Sequence, residues 1–315
     1  MSDAPEDSED GITRARALAN HFFPGFAPVR LALDHDVLIN AVIGGQGPPL
    51  LLLHGFPQSL LEWRYITAPL AQHFRVVAAD LRGYGDSSRP PSGEDHRAYS
   101  NEQMAADQVQ LMQKLGFERF ALVGHDRGAR VAHRLALEHP AAVSRLALID
   151  IVPGVEFYDH LTRGLARAYH HWFLLSQPAP LPETLYGNNA DFLLRQHFFR
   201  GLSSDQLPEE VLQLYLQNLQ DADSLHAMCE DYRAGATLDY AAEKADLQAG
   251  RKLTMPLLNL WGERGAMGHF FDMPAVWAKY AEQVQNQPLP GGHWLPEEVP
   301  QALLSTLLPF FRADG

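Results

Sequence analysis

The sequence predicts an α/β fold: a mostly parallel central β-sheet flanked by helices, with a helical cap inserted near its end. Three observations carry this. Short apolar runs ending in glycine-containing or polar turns recur at 49–55 (PLLLLHG), 75–83 (RVVAADLRG), 120–126 (FALVGHD), 145–152 (RLALIDIV) and 255–262 (MPLLNLWG). Runs of this length and composition read as strands buried on both faces. Helical patterns separate them, and repeated strand–loop–helix units imply a parallel sheet covered on both sides. Strand signals stop between about 153 and 250, where helix formers, Tyr, Phe and Trp predominate and Pro178, Pro180, Pro182 and Pro208 interrupt.

Taken in order, residues 1–20 read as a disordered tail, because Asp3, Glu6, Asp7, Glu9 and Asp10 crowd its start. Residues 29–44 alternate apolar and polar and break at Gly44–Gly45, as a half-exposed antiparallel hairpin would. Residues 101–116 carry Met104, Ala105, Val109, Leu111, Met112 and Leu115 at helical spacing, with Gly116 as a stop. A helical segment joins the runs at 120–126 and 145–152, QPLP precedes Gly291, and 299–312 reads as a terminal helix. The expected core domain is thus 21–152 with 251–315, and the cap 153–250.

Composition narrows the function. With 46% apolar and 20% charged residues, and only 24 Gly and 22 Pro in 315, the chain is globular. Its 25 basic and 38 acidic residues give a net charge of −13, without the basic excess of a nucleic-acid binder. The opening MSDAPEDSEDG lacks a basic n-region and an apolar h-region, and no run approaches 18 apolar residues. The lone Cys229 allows neither an internal disulfide nor a Cys-based zinc site. A cytoplasmic protein without a membrane or nucleic-acid partner is expected.

The sharpest motif is Gly124-His125-Asp126-Arg127-Gly128 at a strand-to-helix junction. Small residues two before and two after a nucleophile permit the strained elbow that lifts it above a sheet. The central residue here is Asp. A carboxylate nucleophile forms an ester at an sp³ carbon, which suits displacing a leaving group or opening a strained ring. Asp150 closes the next strand at the carboxyl edge of the sheet, and His293 follows Gly291-Gly292 ahead of the last helix. Nucleophile, acid, then His is the chain order of the α/β-hydrolase fold.

From about 22 to 312 the chain resembles the fluoroacetate dehalogenase branch of the α/β-hydrolases, close to the epoxide hydrolases and haloalkane dehalogenases. The resemblance rests on HGFPQ (54–58) with Trp63, DLRGYGDS (80–87), GHDRGAR (124–130), HW (171–172), CEDYRAG (229–235) and GHWLPEE (292–298). The first two belong to the wider superfamily; the arginine pair and the lid motifs are specific. Ala129 is a mild departure, since close relatives often carry Gly there. The resemblance implies hydrolysis of haloacetates to glycolate and halide through an Asp126 ester, with His293 oriented by Asp150. It also implies His171, Trp172 and Tyr232 as halide-binding residues, and a homodimer. His170 precedes His171, so the assignment could slip by one; adjacency to Trp172 selects His171. The backbone N–H groups of Phe56 and Arg127 are the expected oxyanion hole.

Elementary electrostatics points the same way. Arg127 and Arg130 stand three apart at the start of a helix and project to one face beside Asp126. A haloacetate brings its own carboxylate toward an anionic nucleophile, and two guanidiniums offset that repulsion with charge-assisted bonds. A departing fluoride needs several hydrogen-bond donors in a dry pocket, which a ring N–H, an indole N–H and a phenol O–H would supply. No metal or organic cofactor is required. His54, Asp80, Arg82 and Asp86 read as loop-shaping residues, and Cys229 as buried filler. The alternative is an epoxide hydrolase or another Asp-nucleophile hydrolase, with Tyr232 and Tyr169 aimed at an epoxide oxygen; the two arginines would then lack a task. A silent ligand sensor on the same fold would have lost the nucleophile or the His, and both are present.

Overall fold

Eight strands form one sheet in the computed structural model, which describes residues 9–312. They are β1 (Ala27–Ala32), β2 (Leu38–Gly44), β3 (Pro49–Leu53), β4 (Arg75–Ala79), β5 (Phe120–His125), β6 (Val143–Ile149), β7 (Leu257–Gly262) and β8 (Val284–Leu289), in the spatial order β1-β2-β4-β3-β5-β6-β7-β8. β1 and β2 pair antiparallel, β2 pairs antiparallel with β4, and every pairing from β4 through β8 is parallel. Leu50 to Leu53 of β3 are wholly buried, as a strand covered on both faces requires. Helix Asp126–Glu138 packs on β3, β5, β6 and helix Asn101–Lys114, so the helix that Asp126 opens is seated in the centre of the core.

Two expectations are corrected. The stretch 1–20 is not a disordered tail throughout: a helix spans Glu9–Phe22, and residues 1–8 lie outside the described residues. Ala15, Leu18, Ala19, Phe22 and, just past its end, Phe23 recur at helical spacing; Ala15 is buried and the other four meet the core, and the acidic run before them hid that period. A Cβ on Gly44 would lie 2.6 Å from the Phe26 ring, so that glycine makes room for the chain that follows the helix. The second concerns the hairpin. β2 is buried along its whole length, because it lies between β1 and β4, while β1 remains partly exposed.

Between β6 and β7 the described chain is helical, running from Gly154–Asp159 to Tyr240–Gln248. Pro182 lies in the first turn of helix Leu181–Gly187 and Pro208 caps helix Glu209–Gln220, so these prolines start helices. The segment is tied to the sheet region by polar bonds. Tyr84 donates to Asp231 at 2.7 Å, Asn101 N–H to Asp239 at 2.9 Å, and Trp294 Nε1 to the Phe198 carbonyl at 2.9 Å. Asp80 accepts from Leu60 N–H, the Asn40 amide and Asp86 N–H, and Arg82 pairs with Asp107, so both shape loops. Cys229 is buried, and burial pushes its thiol up, away from the reactive thiolate. No helix of the described residues is long and apolar enough to cross a membrane.

Candidate active site

Asp126 follows β5 directly and opens helix Asp126–Glu138 with φ +48°, in the left-handed region. Strain of this kind persists only where the surroundings impose it. They do so here by close approach. A Cβ on Gly124 would lie 2.5 Å from the Gly128 carbonyl oxygen, and one on Gly128 would lie 2.4 Å from the carbonyl oxygens of Leu53 and His54. Both elbow glycines are therefore required by contact. Phe56 N–H donates to Asp126 Oδ1 at 3.0 Å, which leaves Oδ2 turned toward His293, whose Nε2 lies 3.6 Å away. His293 Nδ1 is 2.6 Å from Asp150 Oδ2, and Asp150, itself at φ +54°, accepts Gly262 N–H on its other oxygen. Burial alone would raise the Asp126 carboxyl. The charges of His293 and His125, the Phe56 N–H and Arg127 outweigh burial and hold it below the ordinary carboxylate range.

The two arginines differ. Both are buried, but Arg127 is engaged by helix Ala222–Ala234. Its Nε donates to Asp231 Oδ2 at 2.8 Å, and its Nη2 to Asp231 Oδ1 and to the Asp231 carbonyl. Its guanidinium also stands 4.9 Å from the centre of the Tyr232 ring. One edge of Arg127 is thus already filled by a carboxylate. Arg130 instead lies 4.3 Å over the Trp172 ring, and its Nε and Nη2 are buried without a hydrogen-bond partner among the described residues. Burial and the Arg127 charge depress it below the usual arginine value, while Glu243 counters them in part. An incompletely paired buried cation is costly unless a ligand completes it.

A second set of unmet donors converges from the cap. His171 Nδ1, Trp172 Nε1 and Tyr232 Oη are buried and lack partners among the described residues. The His171 and Trp172 rings each stand 6.2 Å from that of Tyr232. Burial brings His171 down to about 3, so the imidazole is neutral, and burial together with Asp126 raises the Tyr232 hydroxyl, so it stays protonated. The neighbouring His170 is exposed and faces the carbonyl of Arg167. Both π-helical turns of this region touch the site. Leu194–Phe198 sets Phe198 against Phe56 and His171, and Gly235 opens Gly235–Asp239 where a Cβ would lie 3.2 Å from the Arg127 guanidinium.

Sequence reasoning missed four residues here. Asp231, which orients Arg127, sat one position before Tyr232 in the quoted lid motif. Glu243 accepts Val155 N–H at 3.0 Å beside Arg130. Glu62 and His125 form a buried pair behind Asp126. Nothing local in the sequence marks Glu62 or Glu243, since both act across the fold.

An eight-stranded sheet with a strand-to-helix Asp, a following strand-end Asp and a late His decides the family, and the model of the alpha/beta hydrolase fold matches residues 48–300. The chain belongs to the α/β-hydrolase family. It is 44% identical over 290 residues to a fluoroacetate dehalogenase from Burkholderia sp, covering 91% of this chain and 94% of that one. It is 33% identical to a soluble epoxide hydrolase from Corynebacterium sp. (strain C12), with 88% and 96% covered. Among solved structures, an α/β hydrolase from Nostoc sp PCC 7120 superposes with a TM-score of 0.88 at 46% identity, covering 92% of this chain and 99% of that one. A Pseudomonas aeruginosa protein described as an epoxide hydrolase, a mutant with bound MFA, gives 0.85 at 40% identity, with 92% and 97% covered. This α/β hydrolase is therefore similar along most of its length to proteins named for different substrates.

Proposed function

We propose that this α/β hydrolase converts haloacetates, fluoroacetate among them, to glycolate and halide through an ester on Asp126. The observation that carries the reading is the chemistry of the unpartnered buried donors around Asp126. The Arg130 guanidinium suits a carboxylate, and the three neutral groups His171, Trp172 and Tyr232 suit a leaving halide. Asp126 Oδ2 attacks the halide-bearing carbon in line, and the carbon–halogen electron pair leaves with the halide toward His171, Trp172 and Tyr232. His293 then takes a proton from water as that water attacks the Asp126 carbonyl carbon. Asp150 steadies the imidazolium, and the N–H groups of Phe56 and Arg127 hold the oxyanion. Collapse returns the proton to the departing glycolate oxygen. The Burkholderia relative named a fluoroacetate dehalogenase supports the same substrate class.

The test is halide release from fluoroacetate and chloroacetate. Release of both supports the reading, whereas release of neither overturns it. Chloride without fluoride would keep the mechanism and assign the pocket to a larger, less strongly hydrated ion. Arg130→Met is expected to lower kcat/KM about 10–100-fold, the worth of one or two charge-assisted bonds, without lowering the melting temperature of the free enzyme. Tyr232→Phe is expected to slow fluoride release more than chloride release, because the smaller anion depends more on each donor. Comparing the two halides in single turnovers checks this.

Epoxide opening is the second reading. Tyr169 is buried against His171 and Trp172, with Asp126 and Asp150 in its field, so two phenols border the nucleophile. Turnover of a neutral epoxide at rates above those for haloacetates would favour it.

A further inference from the structure

His125, the residue before Asp126 and the last of β5, is fully buried, and the chemistry proposed above gives it no part. Its Nε2 lies 2.9 Å from the main-chain carbonyl oxygen of His293. A carbonyl only accepts, so Nε2 carries a proton. Its Nδ1 lies 3.2 Å from Oε2 of Glu62, a carboxylate with no exposed surface. The same Oε2 accepts Gly55 N–H at 3.1 Å. The pair stands at ion-pair distance without hydrogen-bond geometry, and with both side chains buried a proton on Nδ1, which makes the ring an imidazolium, is the charge that neutralises the carboxylate. Burial alone would lower His125, but the Glu62 carboxylate beside it, with Asp126 and Asp150 behind it, pushes it up to about 9.

Three loops meet at this pair. Glu62 holds Gly55, and the next N–H, that of Phe56, is the one on Asp126 Oδ1. His125 precedes the nucleophile, and its Nε2 holds the loop that carries the base. We infer that the buried His125–Glu62 ion pair is the positioning device of this active site: it fixes the Phe56 and His293 loops against Asp126 and places a positive charge beside that carboxylate. The inference about catalysis rests on the ester mechanism proposed above; the ionisation of the pair does not. The titratable groups facing His125 are Glu62, Asp126, Asp150, His293 and Glu297, so carboxylates dominate its surroundings.

Imidazole ¹⁵N and ¹³C NMR of the whole enzyme at pH 8 tests the charge without substrate. An unperturbed histidine is neutral there. One buried ring is expected to show two protonated nitrogens, and its signal to vanish in His125→Gln and shift in Glu62→Gln. A His125 ring with one bare nitrogen at pH 8 would overturn the proposal. Kinetics tests the role. His125→Gln keeps a donor for the His293 carbonyl but carries no charge, so a merely structural residue would leave the pH profile unmoved. Esterification and ester hydrolysis in single turnovers are expected to fall about 10–100-fold with KM nearly unchanged, as small misplacements of reacting groups do. Esterification is also expected to begin losing rate at a higher pH than in the wild type, because Asp126 then lacks one of the charges that hold its carboxyl down. Wild-type rates and profile in both variants would refute the positioning role. If the wild type itself releases no halide, the haloacetate reading fails instead, and the NMR result still decides the ion pair. If His125→Gln does not fold, Glu62→Gln carries both measurements.

Discussion

Asp126→Asn is expected to abolish haloacetate turnover, with kcat at least about 10⁴-fold lower and the melting temperature within a few degrees of wild type. The amide is the same size and still accepts the Phe56 N–H on its oxygen, so the elbow, already imposed by the contacts at Gly124 and Gly128, is retained. What is lost is the nucleophile. The structure holds the Asp126 carboxyl below its ordinary range despite burial, which keeps it charged at neutral pH, and an amide has no lone pair of comparable reactivity. Halide release by ion-selective electrode, with binding of unreacted haloacetate followed in parallel, separates lost chemistry from lost affinity. Retained turnover in this variant would move the nucleophile elsewhere.

His293→Ala is expected to stall the enzyme one step later. The first step needs no base, because Asp126 is already ionised and halide departs with its electron pair. The second step needs a base to deprotonate water, and His293, held by Asp150 at 2.6 Å, is the imidazole placed to do so. The variant should therefore release about one equivalent of halide and then stop. Intact-mass spectrometry should show a gain of about 58 Da, the carboxymethyl ester, and digestion should place it on Asp126. A variant that cycles normally would remove His293 from the mechanism. One that forms no ester would mean that the imidazole also positions the nucleophile, through its 3.6 Å approach to Asp126 Oδ2.

The part of this site that was legible in the sequence is the part written locally. The elbow is five consecutive residues whose glycines answer to specific contacts, Asp150 closes an apolar run that announces itself, and His293 is marked by Gly291-Gly292 ahead of the last helix. The mostly parallel sheet and its antiparallel start were legible from the same runs, whereas the strand order came with the structure. Interactions across the fold were not legible. Arg127 reads as a free cation until Asp231, 104 positions later, is packed against it, and only then does Arg130 emerge as the guanidinium with unmet donors. Glu62 and His125 are likewise apart in sequence, and either alone is an ordinary residue beside a recognisable motif. The N-terminal helix was obscured for another reason. The acidic run ahead of it masked the period of Ala15, Leu18, Ala19, Phe22 and Phe23, and burial follows the period.

The central claim is that the oxygen delivered to the product comes from Asp126. A single turnover of fluoroacetate with excess enzyme in H₂¹⁸O measures this directly. The account predicts glycolate without ¹⁸O in its hydroxyl group, with the label retained in a peptide containing Asp126. Glycolate labelled in that first turnover, with Asp126 unlabelled, would mean that water attacks the substrate itself, and the ester mechanism would be wrong.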